Sequence, residues 1–251
     1  MGNCGWEAMV QAIACGRPPR QAEEHVWCSQ IYPMRLDEIS ALEYEWLAKQ
    51  QSVHGAHDDR DAAYERIGVY EAWREIFREY VTLSREGDPE ALKRALFLWW
   101  YGYSEPHWLS GILKLDYALG EEVLRRVNEL ASKGQLDEEL KWMLPWYYSI
   151  CDYYLGSFEG IDALKQASMQ ETNRRDERWW RLQCGRSSFE NRGQMGEYWG
   201  SVRSSLNQAW ADHDNNKRPV MQVPPSQGLL TGLVRRICST LGLPWRRRIK
   251  R

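Results

Sequence analysis

The fold of this chain is decided by residues 69–101, which read VYEAWREIFREYVTLSREGDPEALKRALFLWWY. In the first half, large apolar side chains recur at steps of three and four residues, which places Trp73 and Phe77 on one face of a helix. Gly87 interrupts this pattern. Residues 88–90, Asp-Pro-Glu, then combine a helix N-cap, a proline for the first helical position and an acid for the first turn. The stretch therefore predicts two antiparallel helices joined by a tight turn.

The same periodicity extends in both directions and predicts five helices between residues 36 and 155. The predicted helices cover residues 36–54, 58–86, 89–105, 119–131 and 136–155. The third is apolar almost all round, which indicates a central position in the core. Pro145 lies inside the fifth and predicts a bend or break. Further helices are predicted near residues 160–171 and 198–211, and no strand pattern competes with them.

These patterns predict an all-α protein, built as a helical bundle or as an array of antiparallel helical hairpins. An irregular N-terminal extension and a basic amphipathic C-terminal helix complete it. The expected segments are a partly disordered extension at 1–35, a helical core domain at 36–170, a less regular, partly helical segment at 171–211, a linker at 212–227 and a basic amphipathic tail at 228–251.

The composition is unusual in its aromatic residues, with 14 tryptophans and 13 tyrosines against four phenylalanines. Both enriched types combine an apolar body with a polar tip and tolerate half-buried positions. No apolar run approaches the length of about 18 residues that a spanning helix needs, so we expect a soluble protein. The six cysteines form no CxxC pair, which predicts free thiols in a reducing compartment such as the cytoplasm.

The net charge of −2 hides an asymmetry. Residues 226–251 carry seven basic side chains and no acidic one, which leaves −9 for residues 1–225. Such a tail fits an anionic membrane surface or a nucleic acid, and it fits the acidic body of its own chain equally well. The predicted contacts to an anionic surface are Arg235, Arg236, Trp245, Arg246, Arg247, Arg248, Lys250 and Arg251.

The common catalytic and nucleotide-binding motifs are missing from the sequence. It contains neither of the glycine patterns that cradle phosphates, and it has no GxSxG elbow to present a serine nucleophile. Paired carboxylates such as Glu121 and Glu122 lie in predicted first turns, where the helix dipole favours acids. The sequence therefore assigns no catalytic residue.

One cluster has the residue types of a metal site. His54, His57, Asp58 and Asp61 lie close together in the sequence, and imidazole and carboxylate groups together suit a divalent metal. These four residues are the candidate ligands. The alternative is a solvated turn in which an aspartate caps the next helix.

The doublet His57-Asp58 resembles that of the HD-type metal phosphohydrolases, an all-helical family whose pattern adds an upstream histidine and a distant aspartate. The resemblance implies metal-dependent hydrolysis, with His25 and either Asp116 or Asp152 as the partners. The family's doublet normally lies in an apolar context, whereas this one lies in a hydrophilic stretch.

Aromatic side chains crowd two short regions, residues 99–108 and 142–154. One helix face cannot bury all of them, so we expect an exposed aromatic patch or cleft, which is a kind of surface that binds proteins, sugars or stacked bases. Glu105 and His107 lie between the rings of the first region and predict a polar contact there. The predicted contact residues are Trp99, Trp100, Tyr103, Glu105, His107, Trp108, Trp146, Tyr147 and Tyr148. The alternative is that the rings pack between helices.

The sequence thus favours a non-enzymatic helical binding or interaction protein without a cofactor, whose partner is a protein. Two alternatives stay open. One is a metal-dependent hydrolase centred on His54, His57 and Asp58, with a divalent metal as its cofactor. The other is peripheral association with a membrane surface or nucleic acid through residues 228–251.

Overall fold

A computed structural model describes residues 34–155, 158–169 and 177–215. In these ranges the chain forms ten α-helices and no strand, so the prediction of an all-α protein is confirmed. The helices are α1 (Leu36–Ser52), α2 (His57–Ile67), α3 (Val69–Arg85), α4 (Pro89–Ser104), α5 (His107–Ser110), α6 (Tyr117–Ser132), α7 (Glu138–Ile150), α8 (Asp162–Met169), α9 (Glu177–Arg186) and α10 (Gly193–Asn215). A 3-10 turn at Asp152–Tyr154 follows α7. None of the described helices is long and apolar enough to cross a membrane.

The central hairpin of α3 and α4 forms as the sequence predicts. The Asp88 side chain accepts hydrogen bonds from the backbone N–H groups of Glu90 and Ala91, both at 2.8 Å, and Pro89 opens the helix. Helix α3 packs on α4 and on α1, α8 packs on α6 and α7, and α10 packs on α9 and α1. Every residue of α4 from Ala91 to Trp100 except Lys93 is buried, so α4 is the central helix.

The predicted second helix, residues 58–86, is two helices in the structure. Gly68 separates α2 from α3 and adopts φ of 84°, a left-handed conformation that residues with a side chain rarely adopt. Its backbone N–H caps the carbonyl groups of Tyr64 and Glu65. The periodicity runs through this glycine without interruption, which is why the spacing alone predicted one helix.

The helical core extends beyond the predicted boundary at residue 170. The segment predicted to be less regular contains α9 and α10, and Trp199 and Val202 of α10 are buried in the core. Helix α10 continues to Asn215, so residues 212–215 belong to a helix and not to a linker. The rest of the predicted linker, the basic tail at 228–251 and residues 1–33 of the predicted extension lie outside the described residues.

A buried polar network fixes the position of α10. Glu43 of α1 is 1% exposed and accepts a hydrogen bond from the backbone N–H of Gln194 at 2.9 Å and one from the Tyr80 hydroxyl at 2.5 Å. The Arg94 guanidinium lies 3.4 Å from the same carboxylate and donates to Tyr80 at 2.9 Å. A Cβ atom on Gly193 would lie 2.0 Å from the Glu43 carboxyl carbon, so only glycine lets the start of α10 approach this closely. Glu43 thus caps the N-terminus of α10, although the two residues in contact are 151 positions apart in the sequence.

A second arginine completes the network at the surface of the core. Arg192 donates to Glu90 of α4 at 2.6 and 2.7 Å and to Glu139 of α7 at 2.9 Å. Burial alone would raise the pKa of each carboxyl, but the Arg192 guanidinium and the neighbouring cations hold both pKa values below their usual range. Lys93 lies 2.7 Å from Glu139 as well. Three helix starts are therefore tied together by one ionic cluster.

We expect Arg192→Met to lower the free energy of unfolding by about 3 kcal/mol, because it leaves two largely buried carboxylates short of a partner. Urea unfolding followed by circular dichroism measures this. The control is Lys133→Gln, which removes an exposed i,i+4 pair with Glu129 and should change stability by less than about 0.5 kcal/mol. Equal stability of the two variants would show that the Arg192 cluster does not hold the helices together.

Two helical glycines make a matched test of packing. A Cβ atom on Gly120 would lie 2.2 Å from the Trp99 ring, so Gly120→Ala should destabilise the fold by about 1–3 kcal/mol despite the better helix propensity of alanine. A Cβ atom on Gly200 would meet no neighbouring atom within 4 Å, so Gly200→Ala should stabilise the fold by about 0.5–1 kcal/mol. Thermal unfolding of both variants checks the opposite signs, and a shared sign would contradict the close approach of α6 to α4.

Candidate binding surface

The structure separates the predicted contact residues into core and surface. Trp100, Trp146 and Tyr147 are at most 1% exposed, so they belong to the core and are not available to a partner. The Trp100 indole donates to the Tyr147 carbonyl at 3.0 Å, and the Trp146 indole donates to the Tyr198 hydroxyl at 2.8 Å. Trp180 of α9 and Trp199 of α10 pack against Trp146, with ring centroids at 5.1 and 5.6 Å, and the sequence did not reveal these contacts. Tyr148 and Trp108 are half-buried.

Three tyrosines form the exposed aromatic surface instead, and we call Tyr103, Tyr117 and Tyr153 the tyrosine surface. They are 37%, 51% and 59% exposed. The Tyr103 and Tyr153 rings lie 6.4 Å apart, and the Tyr153 hydroxyl donates to the Tyr103 carbonyl at 2.7 Å. Tyr117 stacks on Phe158 at 4.9 Å. Among the aromatic side chains whose burial the structure describes, Tyr44 is the one exposed large ring outside this group.

Sequence reasoning found Tyr103 but missed the other two tyrosines. Asp116 accepts hydrogen bonds from the backbone N–H groups of Ala118 and Leu119, which makes Tyr117 the first residue of α6. The Asp116 N-cap was the signal in the sequence that could have placed Tyr117 at the start of this helix. No comparable signal marked Tyr153, since its position depends on the 3-10 turn after α7.

A small pocket opens beside the tyrosine surface, with a volume of about 140 Å³. Helix α4, the segment after α5 and the start of α6 meet there, and the pocket is lined by Trp99, Gly102, Tyr103, Ile112, Lys114, Leu115 and Tyr117. The Trp99 ring meets Tyr103 and Tyr117 edge to face, at 5.0 and 6.1 Å. We call this the tyrosine pocket. Its size matches that of an apolar cavity of about 150 Å³ that accepts benzene.

Two residues of the tyrosine pocket carry a polar group that has no partner among the described residues. Trp99 is 2% exposed, and its indole N–H makes no hydrogen bond to a described residue but is itself shielded from solvent. Lys114 is exposed, adopts φ of 55° and forms no ion pair with a described residue. No acidic side chain is among the described residues that line the pocket. The charge of the lining is therefore that of the Lys114 cation.

Glu105 directly follows the last residue of α4. It is 9% exposed, and its carboxyl group has no hydrogen-bond or ion-pair partner among the described residues. Burial raises the pKa of Glu105 to about 8. Burial, and then the charge of Glu105, raise the pKa of Tyr101 nearby. Glu105 thus holds its proton at neutral pH in a largely aromatic environment.

The structure brings two of the predicted regions together at the contact of α2 with α5. His57 stacks on Trp108 with ring centroids 3.8 Å apart. The Asp61 carboxylate lies 3.2 Å from the imidazole Nε2 of His107 and accepts a hydrogen bond from Tyr70. These side chains join neighbouring helices by a ring stack and a polar contact.

The candidate metal ligands do not assemble. Across the described part of the chain, no three histidine, cysteine, aspartate or glutamate side chains come close enough together to hold a metal ion. His54 and Asp58 point to solvent. Of the partners that the phosphohydrolase resemblance implies, Asp116 caps α6, Asp152 lies in the 3-10 turn after α7, and His25 is not among the described residues. The geometry of these residues gives the metal-dependent alternative no support.

The described cysteines are not activated as nucleophiles. Cys151 and Cys184 are both buried with free thiols. Burial raises the pKa of each thiol to about 12, so the thiolate is scarce at neutral pH.

Comparisons with protein-family models, with curated proteins and with solved structures found no match to this chain. The predicted anionic-surface contacts of the tail, Arg235 to Arg251, lie outside the described residues and stay a prediction.

The buried carboxyl of Glu105 makes stability depend on pH. Its pKa rises from 4.5 to about 8 on folding, so the folded state keeps the proton after the unfolded chain has lost it, and stability falls as the pH rises through that interval. Between about pH 5 and about pH 8.5, we expect the native chain to lose about 3 kcal/mol of unfolding free energy relative to Glu105→Gln.

Urea unfolding of both proteins across this pH range measures the difference. The exposed Glu86 supplies the control, because Glu86→Gln should follow the native pH profile. If Glu105→Gln also follows the native profile, the carboxyl is not buried without a partner.

Proposed function

We propose that this chain is a helical binding protein whose contact surface is the tyrosine surface together with the tyrosine pocket. The observation that carries the proposal is a group of three exposed tyrosines, two of which line a pocket, in a chain whose other described rings are mostly buried. Tyrosine supplies a large contact area at a low cost in side-chain entropy, and its hydroxyl can bond to a partner.

The tyrosine surface is built on helix ends. Tyr103 lies at the end of the central helix α4, and Tyr117 begins α6 beside the Asp116 cap. The hydrogen bond from Tyr153 to the Tyr103 carbonyl ties the turn after α7 to the same helix end. Contacts that position a side chain in advance reduce the conformational entropy that binding costs.

A binding role also agrees with the state of the buried polar groups. The carboxylates of Glu43, Glu90 and Glu139 are paired and serve packing between helices. Neither described thiol is activated. We therefore place the function at the surface, and the partner we favour is a protein.

The test is affinity capture from a lysate of the source organism with the intact chain and with the double variant Tyr117→Ser/Tyr153→Ser. We expect specific partners to be reduced at least about tenfold in the variant, because exposed aromatic side chains dominate binding energy at interfaces. The matched control is Ile67→Ser/Leu182→Ser, which removes two exposed apolar side chains that are 39% and 50% exposed on other helices.

Thermal unfolding of both double variants must first show that each is folded. Recovery of the same partners by the tyrosine variant, at the level of the control, would rule out the tyrosine surface as the contact.

A further inference from the structure

We infer that the tyrosine pocket takes a carboxylate whose apolar body is the size of one ring or one branched side chain. The inference rests on the proposed binding function and specifies the chemistry of its site. It depends on the volume of the pocket and on its lining, which includes the cation Lys114.

The volume limits the apolar part of the ligand. A space of about 140 Å³ accommodates one six-membered ring and is too small for a fused ring system of larger size. The edge-to-face arrangement of Trp99 with Tyr103 and Tyr117 leaves aromatic walls on more than one side. Ile112 and Leu115 supply the aliphatic remainder. A flat or branched apolar group fits such walls.

The charge of the pocket lining determines which polar group the ligand carries. An aromatic pocket can attract a cation through its ring faces, but here Lys114 already places an ammonium group at the lining, and a ligand cation would be repelled by it. An anion is attracted instead. Lys114 therefore favours a ligand whose polar group is an acceptor with negative charge.

The probes are three molecules of nearly equal size, 4-fluorobenzoate, 4-fluorobenzamide and 4-fluorobenzylammonium, and binding to the full chain is followed by fluorine NMR. The benzoate should bind about two- to fivefold more tightly than the neutral amide, as an exposed ion pair allows, and the ammonium should bind most weakly. The preference for benzoate should shrink at high salt.

Two variants and one control test whether Lys114 causes the preference for benzoate and whether Tyr117 forms a wall of the pocket. Lys114→Gln should remove the preference for benzoate over the amide, whereas Lys133→Gln, which alters an exposed lysine elsewhere, should keep it. Tyr117→Ser should weaken the binding of all three probes, because it removes one wall of the pocket.

The same chemistry could be presented by a free acid or by the last residue of a peptide. Displacement of bound 4-fluorobenzoate by a short peptide that ends in phenylalanine, with a free carboxylate but not with a carboxamide, identifies the peptide terminus as an accepted source. Displacement by neither peptide, with benzoate still bound, identifies a free acid.

Tight binding of the amide or the ammonium in place of benzoate would overturn the carboxylate assignment and leave the proposed function standing. The assignment also fails if the preference is unchanged in Lys114→Gln, or if none of the probes binds. The proposed function fails separately, when capture of partners does not depend on Tyr117 and Tyr153.

Discussion

The buried contact between Glu43 and the start of α10 is the constraint on which the rest of the structure depends. It joins residues about 150 positions apart, and it holds because the Gln194 N–H, the Tyr80 hydroxyl and the Arg94 guanidinium all reach the same carboxylate. A buried carboxylate without such partners is strongly destabilising, so these groups must come together for the fold to form. The glycine at position 193 permits the approach. The position of α10 follows from this contact.

The position of α10 decides which aromatic rings are buried. Its Trp199 packs edge to face on Trp142, with ring centroids 4.6 Å apart, and Tyr198 accepts the Trp146 indole hydrogen bond. This covers the aromatic side of α7. Tyr198 also packs on Phe97, Trp100 and Tyr101 of α4. Beyond these rings, at the end of α4, Tyr103 stays exposed, as do Tyr117 and Tyr153. The candidate binding surface thus consists of rings that the core does not cover.

The residue types that suggested chemistry act mainly through packing. The sequence could locate His57 and Asp61 in one cluster and His107 in another, but it could not show that α2 and α5 meet. In the structure His57 stacks on a tryptophan, and Asp61 contacts His107 and Tyr70. Glu105 was chosen from sequence for its place among aromatic residues, and its burial without a partner is a property of the surrounding helices.

The sequence by itself determined that the protein is helical, where the α3–α4 hairpin turns and which helix lies at the centre. Periodicity and the Asp88 cap are local, and they act over a few residues. Only the tertiary structure decided that α9 and α10 belong to the core, and that Tyr117 and Tyr153 are exposed while Trp146 is not. The reason is that Arg192 and Gln194 are polar and look like surface residues in the sequence. They become core residues because partners from distant helices satisfy their hydrogen bonds.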